Sequence, residues 1–485
     1  MKILCIADLH YVSKKDYFPI PERKYNFGLE FLERVLRREK GNFDILIICG
    51  DFVDNSQIDC AENDFLQIKK TVENEKIPCV FVRGNHDIEM NKFLKISGKA
   101  SAPLEYGKYI FFPFHDNYRN DNRCYRKEEE IEKFRSFCQK NKDKIIIPIQ
   151  HNTVYPEIEA DYPYNIENSE EILKLYRECN VVLSISGHYH RGLKEKEYNG
   201  TYFLTLPALC ELPFSYYIVE LNEKIKFIQK SLYIKHKFPL IDFHCHTEFA
   251  YCGENVESKK NIERAKLFGL DGLVLTEHSG HLYLSPDDYW HYKFVDGIDI
   301  LYKAKKEKKD RMDEFKKKIL PLKNGYVKVG MEVESDKNGN ITLLPEDKEG
   351  IDYLLGAVHF IPDEYMVSER KIKEGFLKFT EFLCKNNIDI LAHPLRFFIR
   401  DRIEVPKDIY GEVIKILKRY NVAAELNFHT NQPDPLFFEK CVENGIKISL
   451  GSDSHNLLEV GEFSKHIEFL KKIDSHIEKF LYRWT

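Results

Sequence analysis

At 485 residues the chain exceeds one ordinary core, and a prior of about 150 residues per domain predicts two to four units. Hydrophobic residues at 43% and charged residues at 31% exclude a disordered or fibrous chain. The formal net charge of −5 excludes a general attraction to polyanions, so contact with nucleic acid would need a local basic groove.

The opening stretch, Met1–His10, is apolar only until Asp8, which predicts neither a signal peptide nor a membrane span. No later apolar run approaches the roughly 18 residues that a spanning helix needs. The 12 cysteines are scattered without CxxC pairs, and several sit in strand-like runs such as Ile45–Cys49. Buried reduced thiols and a cytoplasmic setting are the expectation.

In the first half, Lys2–Ala7, Asp44–Cys49, Pro78–Val82, Lys144–Ile149 and Val181–Ser186 read as buried strands. Leu29–Arg38 and Ala61–Asn74 carry apolar residues at helical spacing, and the alternation predicts α/β layers. Between Gly200 and Ser231 closely spaced strands, Tyr216–Leu221 and Ile225–Gln229 among them, would finish a sheet. Ile234–Pro239 is the expected seam, giving domains over residues 1–235 and 236–485. A second cycle follows, with strands expected at Leu240–His244, Gly272–Thr276, Val327–Val333, Leu354–His359, Ile388–Ala392, Val422–Leu426 and Lys447–Leu450. Seven repeats of this kind predict a parallel barrel whose chemistry gathers at the C-terminal strand ends. The lysine-rich stretch Lys303–Lys318 reads as a solvated helix face, with a basic substrate-binding arm as the alternative.

Potential metal ligands follow almost every predicted strand of the first half: Asp8 and His10, Asp51, Asn85 and His86, His151, then His188 and His190. Side chains just beyond parallel strand ends share one crevice. Carboxylate, imidazole and amide oxygen together suit manganese, iron or zinc. The ordered set resembles the calcineurin-like metallophosphoesterases over about Met1–Leu232, with Gly84–Asp87 and Gly187–His190 as its most specific parts. The resemblance implies a four-layer α/β/β/α sandwich holding two ions. One would be bound by Asp8, His10 and His190, the other by Asn85, His151 and His188, with Asp51 bridging them. His86 would face the leaving-group oxygen as a general acid, and Arg83 would either hold phosphate or serve its strand.

The second half repeats the pattern with Asp242-Phe243-His244-Cys245-His246, Glu277-His278, Glu332, His359, His393 and Asp453-Ser454-His455. Of the 18 histidines, 11 fall in the two sets; among the rest, His281 and His291 lie near the second set in sequence. This half resembles the PHP family, named for polymerase and histidinol phosphatase, which implies a distorted (β/α)7 barrel holding two or three ions of zinc, manganese or iron. By that resemblance His244, His246, Glu332 and Asp453 would bind one ion, and Glu332, His359 and His393 a second. A third would take His278 and His455, but the family's remaining Asp or His is here Cys252, with Glu254 as the alternative. A thiolate there would favour zinc. Arg396 would anchor a substrate phosphate or form a salt bridge; Glu277 would orient His278 or join a metal, and Glu425 would line the barrel mouth.

The two resemblances imply hydrolysis of phosphodiesters or phosphomonoesters by metal-activated water, with small nucleotides or phosphorylated metabolites as the favoured substrates. The fusion suggests that the first centre opens a diester and the second removes the exposed phosphate. The alternatives are a nuclease or nucleic-acid repair enzyme, for which Tyr289–Lys318 is the tract to watch, and a metal-binding regulatory module with one inactive domain.

Overall fold

The computed structural model describes residues 1–484, which divide into two compact units, Met1–Tyr233 and Ile234 onward. In the first unit the strands are β1 (Lys2–Ile6), β2 (Ile45–Cys49), β3 (Cys79–Val82), β4 (Leu104–Tyr106), β5 (Tyr109–Pro113), β6 (Asn117–Tyr118), β7 (Cys124–Tyr125), β8 (Ile145–Ile149), β9 (Leu183–Ser186), β10 (Leu193–Tyr198), β11 (Thr201–Thr205), β12 (Ser215–Leu221) and β13 (Ile225–Ser231). They form one sheet in the order β13-β12-β1-β2-β3, a second in the order β10-β11-β9-β8-β5-β4, and a β6-β7 ribbon. The terminal strands therefore finish two sheets, β11 joining the second and β12 and β13 the first.

Strand alternation builds the layers. Ile3, Cys5 and Ala7 of the β1 region meet Ile147, Ile149, Leu183 and Ile185 in an apolar layer between the sheets. The helices Gly28–Arg38 and Ala61–Asn74 bury Phe31, Leu32, Val35, Phe65, Ile68 and Val72. The helices Glu128–Lys140 and Ser169–Glu178 cover the other sheet through Ile131, Phe134, Ile172 and Leu175. The result is an α/β/β/α arrangement.

In the second unit the strands are β14 (Ile241–Cys245), β15 (Gly272–His278), β16 (Val327–Val333), β17 (Tyr353–Gly356), β18 (Ile390–Leu391), β19 (Ala423–Asn427) and β20 (Ile448–Gly451). They pair in sequence order, every ladder parallel. The ring draws shut where Cys245 bridges Ser454 and the Asp453 N–H donates to the His244 carbonyl at 2.7 Å. Phe243, Val274, Leu355, Ile390 and Ala423 fill the interior, and Tyr482 and Trp484 pack against them. This is a nearly closed parallel barrel with helices outside, as the seven-strand pattern predicts. The lysine-rich stretch is two helices, Asp299–Lys306 and Met312–Ile319, on which Lys303, Lys306, Lys317 and Lys318 are exposed as a solvated face requires. Lys305 and Lys316 both pair with the buried carboxylate of Asp347, at 2.5 and 3.0 Å, so they hold the fold. Among the described residues no helix is long and apolar enough to cross a membrane.

Candidate metal centres

In the first unit the turns after β1, β2, β3, β8 and β9 bring the expected ligands into one crevice. Nε2 of His10 lies 3.1 Å from Nε2 of His190, 3.5 Å from Asp51 Oδ2 and 4.0 Å from Asp8 Oδ1. Nε2 of His151 lies 3.2 Å from Asn85 Oδ1, 3.3 Å from Asp51 Oδ2 and 3.1 Å from Nδ1 of His188. Asp51 thus stands between the two groups.

The imidazoles are fixed from behind. His10 Nδ1 meets Asp54 Oδ1 at 2.8 Å, His190 Nδ1 meets Glu211 Oε1 at 2.6 Å, and His151 Nδ1 donates to the Cys49 carbonyl at 2.6 Å. Protons held on Nδ1 leave the three Nε2 lone pairs aimed inward. Asp8 Oδ1 and Asp51 Oδ2 are buried without a hydrogen-bond partner. Acceptors converging on acceptors, with no donor between them, fit a cation. Burial opposes the charge on Asp51, yet the His151 and His86 rings outweigh it and hold its carboxyl well below the usual range.

Glycines make room for this. A Cβ on Gly84 would stand 2.1 Å from Asp51 Oδ1, and one on Gly50, at φ +84°, 2.3 Å from His151 Nδ1. Asp8, His10, Asp51 and His188 themselves occupy left-handed backbone, at φ 56°, 44°, 51° and 68°, a strain typical of functional turns. Asp87 ties two of the turns together, its carboxylate accepting from the N–H groups of Asp51, Phe52, Val53 and Gly84 at 2.7–3.2 Å.

His86 lines a cavity of about 490 Å³ together with Tyr162, Tyr164 and Tyr189. Its Nδ1 is held by the Asp54 carbonyl, which leaves Nε2 as the ring's other nitrogen. Arg83 serves its strand's loop, its Nε donating to the Ile88 carbonyl at 2.8 Å. Asp54, Glu211 and Arg23 are missed by sequence reasoning. Arg23 binds Asp54 at 2.8 Å and reaches Glu211 at 3.5 Å, linking the carboxylates behind His10 and His190. Asp54 follows Asp51 by only three positions, whereas Glu211 carries no local signal. We expect Glu211→Ala to weaken binding at the His190 group by about 10- to 100-fold, read by competition of the full-length protein against a metal-chelating dye.

In the barrel, register sets His278 of β15 beside Glu332 of β16. Glu332 Oε1 lies 2.9 Å from His393 Nε2 and 3.3 Å from His359 Nε2. Its Oε2 lies 2.7 Å from His278 Nδ1, 3.4 Å from His244 Nε2 and 3.8 Å from His246 Nε2. Asp453 Oδ1 stands 2.9 Å from His246 Nε2 and 3.6 Å from His244 Nε2. Ring nitrogens of His246, His278 and His455 gather within 4.8 Å of one another, and those of His278 and His281 gather likewise with Cys252 Sγ. Burial opposes the charge on Glu332, but His278, His244 and His359 hold it well below the usual carboxyl range.

Cys252 Sγ is 3.6 Å from His278 Nε2, whereas Glu254 is exposed and its backbone N–H donates to the His455 carbonyl at 2.8 Å. Glu425 lies behind the ligands, accepting from His244 Nδ1 at 2.8 Å and from the His393 N–H at 2.7 Å. Glu277 accepts from the Thr247 and His278 N–H groups at 3.3 and 2.9 Å and stands 3.7 Å from His246 Nδ1; it backs His246. Glu334 meets His359 Nδ1 at 3.1 Å. Arg396 is no surface salt bridge: its guanidinium binds Asp453 and reaches Nε2 of His359 and His393 at 2.9 and 2.8 Å. Of the two remaining histidines near this set, His281 is buried beside His278, while His291 is exposed. His429, which sequence reasoning left out, stacks on His455 at 4.3 Å and, with His278, His359 and Arg396, lines a cavity of the barrel of about 290 Å³.

The two folds and their clusters define a hydrolase class of metal-dependent phosphoesterases. Residues 1–192 match the calcineurin-like phosphoesterase family and residues 242–429 match the PHP domain, so one chain carries a domain of each kind. A probable phosphatase of Clostridium novyi is 26% identical over 246 residues, spanning 48% of this chain and 86% of its own length. One from Shewanella loihica is 23% identical over 262 residues, 50% of this chain and 88% of its own. A dimetal phosphatase structure from Danio rerio is 15% identical, with a TM-score of 0.40, covering 47% of this chain and 98% of its own.

Proposed function

We propose that the chain is a bifunctional phosphoesterase in which each unit carries its own hydrolytic centre. The first opens a phosphodiester of a small nucleotide or phosphorylated metabolite, and the second releases phosphate from the monoester. The observation that carries this reading is the convergence, in each unit, of buried ring nitrogens and carboxylate oxygens, with Arg396 the one donor that reaches the barrel set. In the first centre Asp8, His10 and His190 would hold one ion and Asn85, His151 and His188 a second, bridged by Asp51. In the barrel His244, His246, Glu332 and Asp453 would hold one, Glu332, His359 and His393 another, and Cys252, His278 and His455 a third. Manganese, iron and zinc fit the first donor set, and the thiol of Cys252 favours zinc in the second. Bound divalent ions supply an activated water and offset the charge on phosphate and departing oxygen.

The chain's own residues do the rest. Asp54, Glu211 and Glu425 keep the ligand imidazoles in one tautomer. His86 delivers a proton to the leaving alcohol from Nε2, its other nitrogen being held by the Asp54 carbonyl. Arg396, drawn back from the ring nitrogens it now touches, would grip the phosphate with its forked donors. The relay is tested with His359→Ala and a phosphodiester of p-nitrophenol. The variant is expected to accumulate the monoester that the unaltered protein consumes. Equal phosphate release by both proteins would end the relay.

A further inference from the structure

The helices Glu128–Lys140 and Ser169–Glu178, which cover the second sheet of the first unit, each carry a cysteine at the C-terminal end. Cys138 lies in the last turn of one, and Cys179 caps the other. The two helices pack on each other; one turn before Cys138, Arg135 Nε meets Glu178 Oε2 at 3.3 Å, beside Cys179. There the two free thiols hydrogen-bond to one another. Both touch the apolar cluster under the helices, Cys138 buried within it and Cys179 at its half-buried edge. The pair is unequal. The bond from Cys138 and then the Arg135 guanidinium hold the Cys179 thiol below its usual range, against burial and Glu178. The same bond, together with burial, pushes Cys138 up. Cys60 and Cys79, half-buried thiols elsewhere in this unit, are both raised by burial. The thiolate therefore forms on the sulfur that solvent reaches, with a buried thiol in contact behind it.

We propose that Cys138 and Cys179 are a redox pair, which exchange with a low-molecular-weight disulfide closes into a reversible bridge between the two helices. The Cys179 thiolate attacks one sulfur of the small disulfide, forming a mixed disulfide and releasing one thiolate. The Cys138 thiol then loses its proton and attacks Cys179 Sγ, which closes the bridge and expels the second thiolate. Two protein thiols are oxidised, and the small disulfide is reduced to two thiols. The loop closed in this way contains β8, His151, Tyr162 and Tyr164, and beyond Cys179 the chain runs into β9, which delivers His188. The bridge thus fastens the elements behind one group of ligands, and by shortening the free loop of the unfolded chain it favours the folded unit.

The test treats the manganese-loaded, full-length protein with oxidised glutathione, blocks the remaining thiols and maps the peptides by mass. One linked pair, joining Cys138 to Cys179, is expected, and dithiothreitol should undo it. Cys138→Ser should stop at a stable glutathione adduct on Cys179, because the attacking thiol is gone. Cys179→Ser should gain neither a bridge nor an adduct on the buried Cys138. The bridged protein should melt about 5 °C or more above the reduced one, a gap absent from Cys179→Ser. Diester hydrolysis by Cys179→Ser should match that of the unaltered protein, since the pair touches no ligand. A glutathione adduct that persists on Cys179 while Cys138 is intact would overturn the proposal. So would modification of Cys138 in Cys179→Ser, a bridge that forms only in denaturant, or bridged and reduced proteins that melt together.

Discussion

Asp51→Asn is expected to lower phosphodiester hydrolysis by on the order of 10³-fold while leaving phosphomonoester release within about twofold. Asp51 Oδ2 faces both imidazole groups, 3.5 Å from His10 and 3.3 Å from His151, and has no hydrogen-bond partner of its own. Its other oxygen accepts the His86 N–H at 2.9 Å, which holds the carboxylate plane. The amide keeps shape and volume but turns one oxygen into a donor. If that donor faces the ring nitrogens, a positive edge points at the position where two cations would sit, and both lose their shared ligand. If the amide takes the opposite rotamer, its NH2 collides electrostatically with the His86 N–H. Either way the negative charge of the bridge is lost. Rates with a nitrophenyl diester, at several manganese concentrations, measure the effect.

The second large effect is expected for Glu332→Gln, which should reduce phosphomonoester hydrolysis by on the order of 10³-fold and spare diester opening. The two oxygens of Glu332 face five imidazoles: His393 and His359 on one side, His278, His244 and His246 on the other. Glu425 reaches the His244 ring but only the backbone N–H of His393, and Asp453 meets His244, His246 and His455 together with Arg396. An amide cannot bridge in this way, because only one of its two atoms accepts. Since the residue is fully buried and surrounded by basic nitrogens, the neutral side chain also removes the counter-charge that keeps those rings together. Assay of phosphate from a monoester, with circular dichroism to verify that the barrel remains folded, separates lost chemistry from lost structure.

Much of this was legible in the sequence because the ligands follow short apolar runs. A run such as Ile45–Cys49 reads as a buried strand, and the first polar residue beyond it, Asp51, must then lie at a strand end. The strand Tyr109–Pro113 escaped because its aromatic run ends in proline and contains no alternation, although its register with Ile145–Ile149 is regular. Backbone strain was equally silent. Nothing in the identity of Asp8, His393 or Asp453 announces a φ of 56°, 31° or 50°; only the packed turns impose it. The residues behind the imidazoles divide by distance along the chain. Asp54 sits beside its motif, whereas Glu211 and Glu425 reach their histidines across 21 and 181 positions, a pairing that only the fold creates. Arg396 was visible as a cation near His393, but its seat between His359 and Asp453 depends on the curvature of the barrel.

The central claim is that two independent metal centres do the chemistry, and metal content paired with activity tests it most directly. The full-length protein, Asp51→Asn and Glu332→Gln would be dialysed against manganese and zinc, then assayed for bound ions, diester opening and monoester release. The account predicts that Asp51→Asn loses the ions of the first unit and diester opening alone, and that Glu332→Gln loses those of the barrel and monoester release alone. Loss of both activities from either single substitution, or hydrolysis that persists when neither unit retains an ion, would contradict it.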